Sequence, residues 1–187
     1  MPGAPLVRNA VGRSFGAVLV LVLLAGAHSV AAPPAQASVE RASRTAVLEA
    51  DLLVRVNGLR QRHGLAPLTP SSGLRRAAAE HSAAMAAHGF FGHDSLHGGR
   101  FWQRLRPHYP QRGRALWSAG ENLLWATPYV NAAQALTMWL SSATHRRTLL
   151  RARWREVGLA AVHVRSAPGF FGGREVTVVT ADFGVRR

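Results

Sequence analysis

The sequence contains no cysteine and no lysine, and only 9 of its 187 residues are Asp or Glu. Without cysteine there is no disulfide framework, no thiol nucleophile and no thiolate metal site. A folded domain must rest on its apolar core, which a chain of this length can build. All 23 basic residues are arginine, and the formal net charge is +14. That excess predicts attraction to anionic polymers or lipid headgroups at low salt, weakening as salt rises. Several chemical signatures are also missing. Residues 45–187 hold no Gly-x-Ser-x-Gly elbow, no Gly-rich phosphate loop ahead of a helix, no His-Glu-x-x-His and no nucleic-acid motif. Beyond the N-terminal region no apolar run approaches the roughly 20 residues that a membrane span takes.

The first stretch has the layout of a secretory signal peptide, assigned to residues 1–37. Arg8 and Arg13 form a basic n-region, Gly16 to Ala27 is small and apolar, and Ala35-Gln36-Ala37 is a cleavage site before Ser38. His28 and Pro33-Pro34 interrupt the apolar run too early for an anchor. The expected mature protein is secreted, extracellular or in the cell envelope, with no stable membrane span after cleavage. Nucleic acid is not an expected partner in that setting. Residues 38–44 read as a linker and 45–187 as one domain without internal repeats.

Within the domain, Leu48, Leu52, Val56, Leu59 and His63 recur at helical spacing, predicting a helix from about Thr45 to His63 that stops at Gly64. A second, Ala-rich helix fits Ser71 to His88. Leu74, Ala78, His81, Met85 and His88 share one face, and Gly89 ends it. Phe101 to Leu105 reads as one helical turn, Tyr109 to Ser118 as irregular, and Ala119 to Ala126 as extended. Thr127 with Pro128 reads as the N-cap and first position of a helix reaching Leu140. Thr144 to Leu150 continues as helix. Val157 to Val164 and Glu175 to Phe183 read as two strands joined by the Gly-rich segment Ser166 to Gly173. Helices followed by a terminal antiparallel hairpin give an α+β domain.

Six short motifs occur in order: Asn57-Gly58-Leu59-Arg60 with Gly64-Leu65-Ala66-Pro67-Leu68; the Ala-rich Leu74 to Met85; Gly120-Glu121-Asn122-Leu123; Trp139 to Leu150; Glu156-Val157-Gly158-Leu159; and Thr180 to Gly184. Together they resemble the CAP superfamily of cysteine-rich secretory, antigen 5 and pathogenesis-related 1 proteins, in its bacterial form. Arginine without lysine agrees with a high-GC bacterial source. The resemblance implies an α-β-α sandwich with helices around a small antiparallel sheet. It also implies a central cleft of two His and two acidic residues. By position, His93 and His145 match the histidines and Glu121 the first acid, while Ser142 occupies the slot of the second.

Two imidazoles and a carboxylate are a sound ligand set for Zn²⁺ or another divalent metal, with an open position for water. The same residues could equally form a hydrogen-bonded cleft without metal, Glu121 orienting the imidazoles. His81, His88, His93 and His97 form a loose cluster, open to metal binding but read first as incidental proximity. Arg146, Arg147, Arg151, Arg153 and Arg155 crowd into ten residues and form the anion-binding candidate. Three functions remain open: a non-enzymatic extracellular module binding a lipid or an anionic cell-envelope polymer, a metal-dependent hydrolase using the cleft, and an interaction domain with no ligand. No catalytic residue is assigned.

Overall fold

The computed structural model describes residues 34–113 and 115–187. Residues 1–37, read as a signal peptide, therefore lie almost wholly outside the described residues. The elements run α1 (Pro34–Arg62), β1 (Thr69–Pro70), α2 (Ser72–His88), α3 (Phe101–Leu105), β2 (Trp117–Ala126), α4 (Ala132–Ser141), α5 (Ala143–Leu149), β3 (Glu156–Ala167) and β4 (Arg174–Arg186). A 3₁₀ turn, Gly169–Phe171, lies in the β3–β4 connection. No helix among the described residues is long and apolar enough to cross a membrane.

The strands form one sheet in the order β1-β3-β4-β2. β4 is antiparallel to both neighbours. The two residues of β1 run parallel to β3, so the sheet is mixed rather than purely antiparallel as expected. Such a short parallel partner leaves no periodicity to read in sequence. β4 is buried on both faces from Val176 to Val185, which is why its residues form an almost continuous apolar run.

Successive side chains of a strand point to opposite faces. One face carries Val179, Ala181, Phe183, Leu159, Ala161 and Leu124, packed with Leu52 and Val56 of α1, Leu136 and Trp139 of α4 and Leu149 of α5. The other face carries Val176, Val178 and Leu123 against Met85 and Ala86 of α2. Beside these, Leu74 and Ala77 of α2 pack with Leu105 and Tyr109. The result is the three-layer α-β-α sandwich. At Gly158 a Cβ would sit 2.0 Å from the Arg75 nitrogen, so only glycine lets α2 lie this close to β3.

The elements differ from expectation at two places. Residues 38–44, read as a linker, continue α1, which begins at Pro34. After that proline the segment holds no further proline or glycine, and Glu40 pairs with Arg44 one turn on. Proline at the first helical position and an i,i+4 ion pair both favour helix. Thr127 is not a helix cap. The Thr127–Pro128 peptide is cis, and Thr127 donates to the Glu175 carbonyl. Asn131 caps α4 instead: its side chain accepts from Gln134 N, and the Gln134 side chain accepts from Asn131 N. Such reciprocal boxes satisfy two otherwise orphaned donors.

Arg60 joins α1 to α5 and to the turn before β3. It is fully buried on α1, and its guanidinium donates to the carbonyls of Ala66 (3.0 Å), Leu149 (2.7 Å) and Arg151 (3.2 Å). Burial lowers its pKa, with the charge of Arg155 a second cause. One turn earlier, Asn57 exchanges two hydrogen bonds with the backbone of Leu68. Replacing Arg60 by Met would leave those carbonyls without their donor. We expect a loss of about 3 kcal/mol or more, seen as a lower denaturation midpoint at unchanged slope. A loss below about 1 kcal/mol, the net worth of one ordinary hydrogen bond, would show that water replaces the side chain.

Candidate functional site

Gly120, Glu121 and Asn122 lie in the middle of β2, and each has a separate task. At Gly120 a Cβ would meet the Trp154 ring at 2.7 Å, so glycine admits the indole. Asn122 donates to the His145 carbonyl at 3.0 Å and fixes the first turn of α5 beside the strand. Glu121 points to the opposite face, toward α2 and the loop that follows it.

That loop leaves α2 at Gly89, which has a left-handed backbone. The buried His81 of α2 holds it from beneath, its Nε2 bonded to the Gly92 carbonyl at 2.9 Å. A carbonyl only accepts, so Nε2 carries the proton. Burial lowers the His81 pKa, and the ring stays neutral. His93 follows, its Nδ1 2.8 Å from Glu121 Oε1. Arg104 of α3 donates to Glu121 Oε2 and, at 3.2 Å, to the His93 carbonyl. Hydrogen bonding to Glu121 raises the His93 pKa, against the opposing effect of burial.

Asp182 of β4 stands directly across the ladder from Glu121. It is fully buried, and among the described residues no N–H or hydroxyl reaches either of its oxygens. Burial, and then the charge of Glu121, hold its pKa well above 3.8, with Arg104 pulling the other way. Two buried carboxylates side by side cannot both ionise cheaply. Asp182 is therefore the neutral member, with an O–H to give to Glu121. The cluster amounts to one buried ion pair, Arg104 with Glu121, shielded by a neutral acid below and an imidazole above.

The structure thus brings His93 and Glu121 into direct contact. His145 sits close enough for the charge of His93 to lower its pKa, after burial as the larger cause. Ser142 is no substitute acid: its hydroxyl caps α5, accepting from His145 N at 3.4 Å. As arranged, His93, Glu121 and His145 do not fit a three-ligand metal centre. Both Glu121 oxygens are engaged, its side chain is 1% exposed, and the Arg104 guanidinium occupies its second oxygen. Among the described residues no group of three His, Asp or Glu is placed to hold a metal. His88, placed by its spacing on the apolar face of α2, is exposed.

Arg104 and Asp182 were not identified from the sequence. A lone acid within the apolar run Val176 to Val185 was the available signal for Asp182. Arg104 is one arginine among many, on a single helical turn. Arg146, Arg147, Arg151, Arg153 and Arg155 are all exposed or partly so. Their side chains bond to backbone carbonyls or hydroxyls or lie on Trp154, and among the described residues none pairs with an acid.

The family model described as "CAP: Cysteine-rich secretory protein family" matches residues 53–183. A membrane protein of Bacillus subtilis (strain 168), YlbC, described as uncharacterized, is 32% identical over 111 residues. The match takes in 59% of this chain but only 30% of that relative. Among solved structures, an extracellular protein containing an SCP domain from Bacillus anthracis aligns with a TM-score of 0.60 at 24% identity, covering 85% of this chain and 45% of its own. An outer surface protein from Borrelia burgdorferi aligns with a TM-score of 0.56 at 20% identity, over 74% of this chain and 92% of its own. These likenesses establish the same fold.

Because the folded-state pKa of Asp182 is raised, its contribution to stability is present below about pH 4 and is lost as pH rises toward the shifted value. His93, also raised, adds a decline with the same sign at higher pH, whereas His81 and His145, both lowered, act in the opposite sense. Asp182→Asn keeps a donor toward Glu121 and removes only the titration. Thermal melts across the acid-to-neutral range should therefore show a smaller decline with pH in the variant. Parallel profiles for the two proteins would mean that Asp182 is ionised in the fold.

Proposed function

This chain belongs to the CAP, or cysteine-rich secretory protein, family, and on that premise we propose that it is a non-enzymatic extracellular module that binds an amphipathic lipid. The observation carrying this reading is an apolar groove of about 430 Å³ between α1 and the start of α4, within the size range of small-molecule sites. Val47 and Leu48 line one wall, Tyr129, Val130 and Ala132 the other. Val47 is 57% exposed and Tyr129 41%, so the groove leaves large apolar groups in water that an acyl chain would cover.

The wall is held in shape. Tyr129 stacks on His163 at 4.1 Å between ring centres. His163 in turn meets Thr177 and Glu175 at 3.0 Å each. Arg44, paired with Glu40 on its own helix, lies over the Tyr129 ring, 5.2 Å from its centre, and puts a guanidinium at the rim. A location outside the cell is supported by the signal-like N-terminus and by two structural neighbours, one an extracellular protein and one an outer surface protein. The hydrolase alternative needs a carboxylate that reaches substrate, whereas Glu121 is buried and engaged by Arg104 and His93, and Asp182 is fully buried.

Displacement of a fluorescent fatty acid from the purified domain tests the reading. Val47→Asp puts a charge on the wall at an exposed helix position that folding tolerates. It should weaken binding by roughly tenfold, about the worth of one apolar side-chain contact. Tyr129→Ala should act in the same direction. Unchanged affinity in both variants, or no binding by the unaltered protein, would discard the groove as the lipid site.

A further inference from the structure

α5 presents Thr144, Arg147, Thr148 and Arg151 at positions i, i+3, i+4 and i+7, along one side of the helix and its C-terminal extension. They line a single open pocket of about 450 Å³. The two guanidiniums are oriented before any ligand arrives. Arg147 donates to Thr144 Oγ1 at 3.1 Å. Arg151 lies 5.4 Å above the ring of Trp154. That indole is itself buried and donates to the Thr148 carbonyl at 2.9 Å. Among the described residues neither arginine pairs with a carboxylate, so the donors remain available and the charge uncompensated.

A helix C-terminus normally repels anions, because its last carbonyls carry partial negative charge. Here the buried Arg60 donates to the last of them, Leu149, and to the Arg151 carbonyl in the turn beyond. The helix end is thereby neutralised and turned toward accepting negative charge. Two forks of N–H donors, one of them braced on the Thr144 hydroxyl, suit a tetrahedral oxyanion with three or more free oxygens better than a planar carboxylate, which one fork can satisfy.

We propose that the pocket of Thr144, Arg147, Thr148 and Arg151 is a phosphate site, taking the phosphomonoester or phosphodiester group of an envelope polymer or of a lipid headgroup. The proposal is independent of the acyl-chain groove, which lies between α1 and α4 and shares no residue with it.

The test uses the folded domain at physiological ionic strength, where charges farther apart than about 8 Å are largely screened. Binding is measured to soluble polyphosphate and to phosphatidylcholine vesicles containing phosphatidylglycerol. Arg147→Gln with Arg151→Gln is compared with Arg55→Gln with Arg76→Gln. The control pair removes the same charge from two exposed residues of α1 and α2. The pocket pair should lose about tenfold or more in affinity, and the control pair less than about twofold. Loss on polyphosphate would assign a polymer phosphate, and loss on vesicles alone a lipid headgroup; either supports the site. Equal losses in both pairs would reduce the effect to net charge and overturn it. So would equal dependence on Arg147 and Arg151 for binding polyglutamate, or the absence of binding to both phosphate probes.

Discussion

A single buried guanidinium holds the two ends of this domain together. Arg60 stands near the end of α1, and the carbonyls it bonds come from the adjoining loop, from α5 and from the turn before β3. The last two lie 89 and 91 residues further along the chain. Among the described residues no acid pairs with it, and the charge is balanced by carbonyl dipoles. Such an arrangement is costly to desolvate and stable only when every N–H finds a partner. It therefore specifies one geometry, and that geometry sets the position of the α5 corner on which the phosphate pocket depends. Asn57 secures the loop beyond α1 by a similar exchange, so the opening motif is a set of backbone clamps and not a site.

The cleft solves a different electrostatic problem. Glu121, Asp182 and Arg104 bring two acids and one base into the interior of a strongly basic protein. One ion pair and one protonated acid leave no net charge there. The neutral Asp182 can occupy a central strand where a second carboxylate could not. Above it, the His93 loop is tied to the sheet through Glu121 and Arg104 and propped by His81, so a Gly- and His-rich segment with little apolar surface of its own stays on the fold. The residues that look most catalytic in sequence thus work first as a fastening.

The parts of the fold legible in sequence are those with a full period on display. The apolar stripe of α1, the Ala-rich face of α2 and the alternation of β3 and β4 could be read because several turns or pairs repeat the same message. The two-residue β1 repeats nothing, and its pairing follows from where α1 and Asn57 deliver the chain. Thr127 and Pro128 carried a helix-start signal that the tertiary bonds to β4 override. In the site, His93, Glu121 and His145 were visible through their motifs. Ser142 was visible as a position but not as a cap. Arg104 and Asp182 become significant only when β2 and β4 are in register and α3 folds over them, which no local pattern encodes.

The sheet order has a consequence for how the chain is delivered. β4 pairs with both β2 and β3 along its length, yet it follows every other element in sequence. A polypeptide emerging amino end first, from a ribosome or through a narrow conduit, carries β2 and the β1–β3 pair without the strand that unites them. Its helices can form early, but the two apolar layers have no shared partition to pack against until residues 174–186 arrive. The chain thus stays open for most of its emergence and closes only when its last strand arrives.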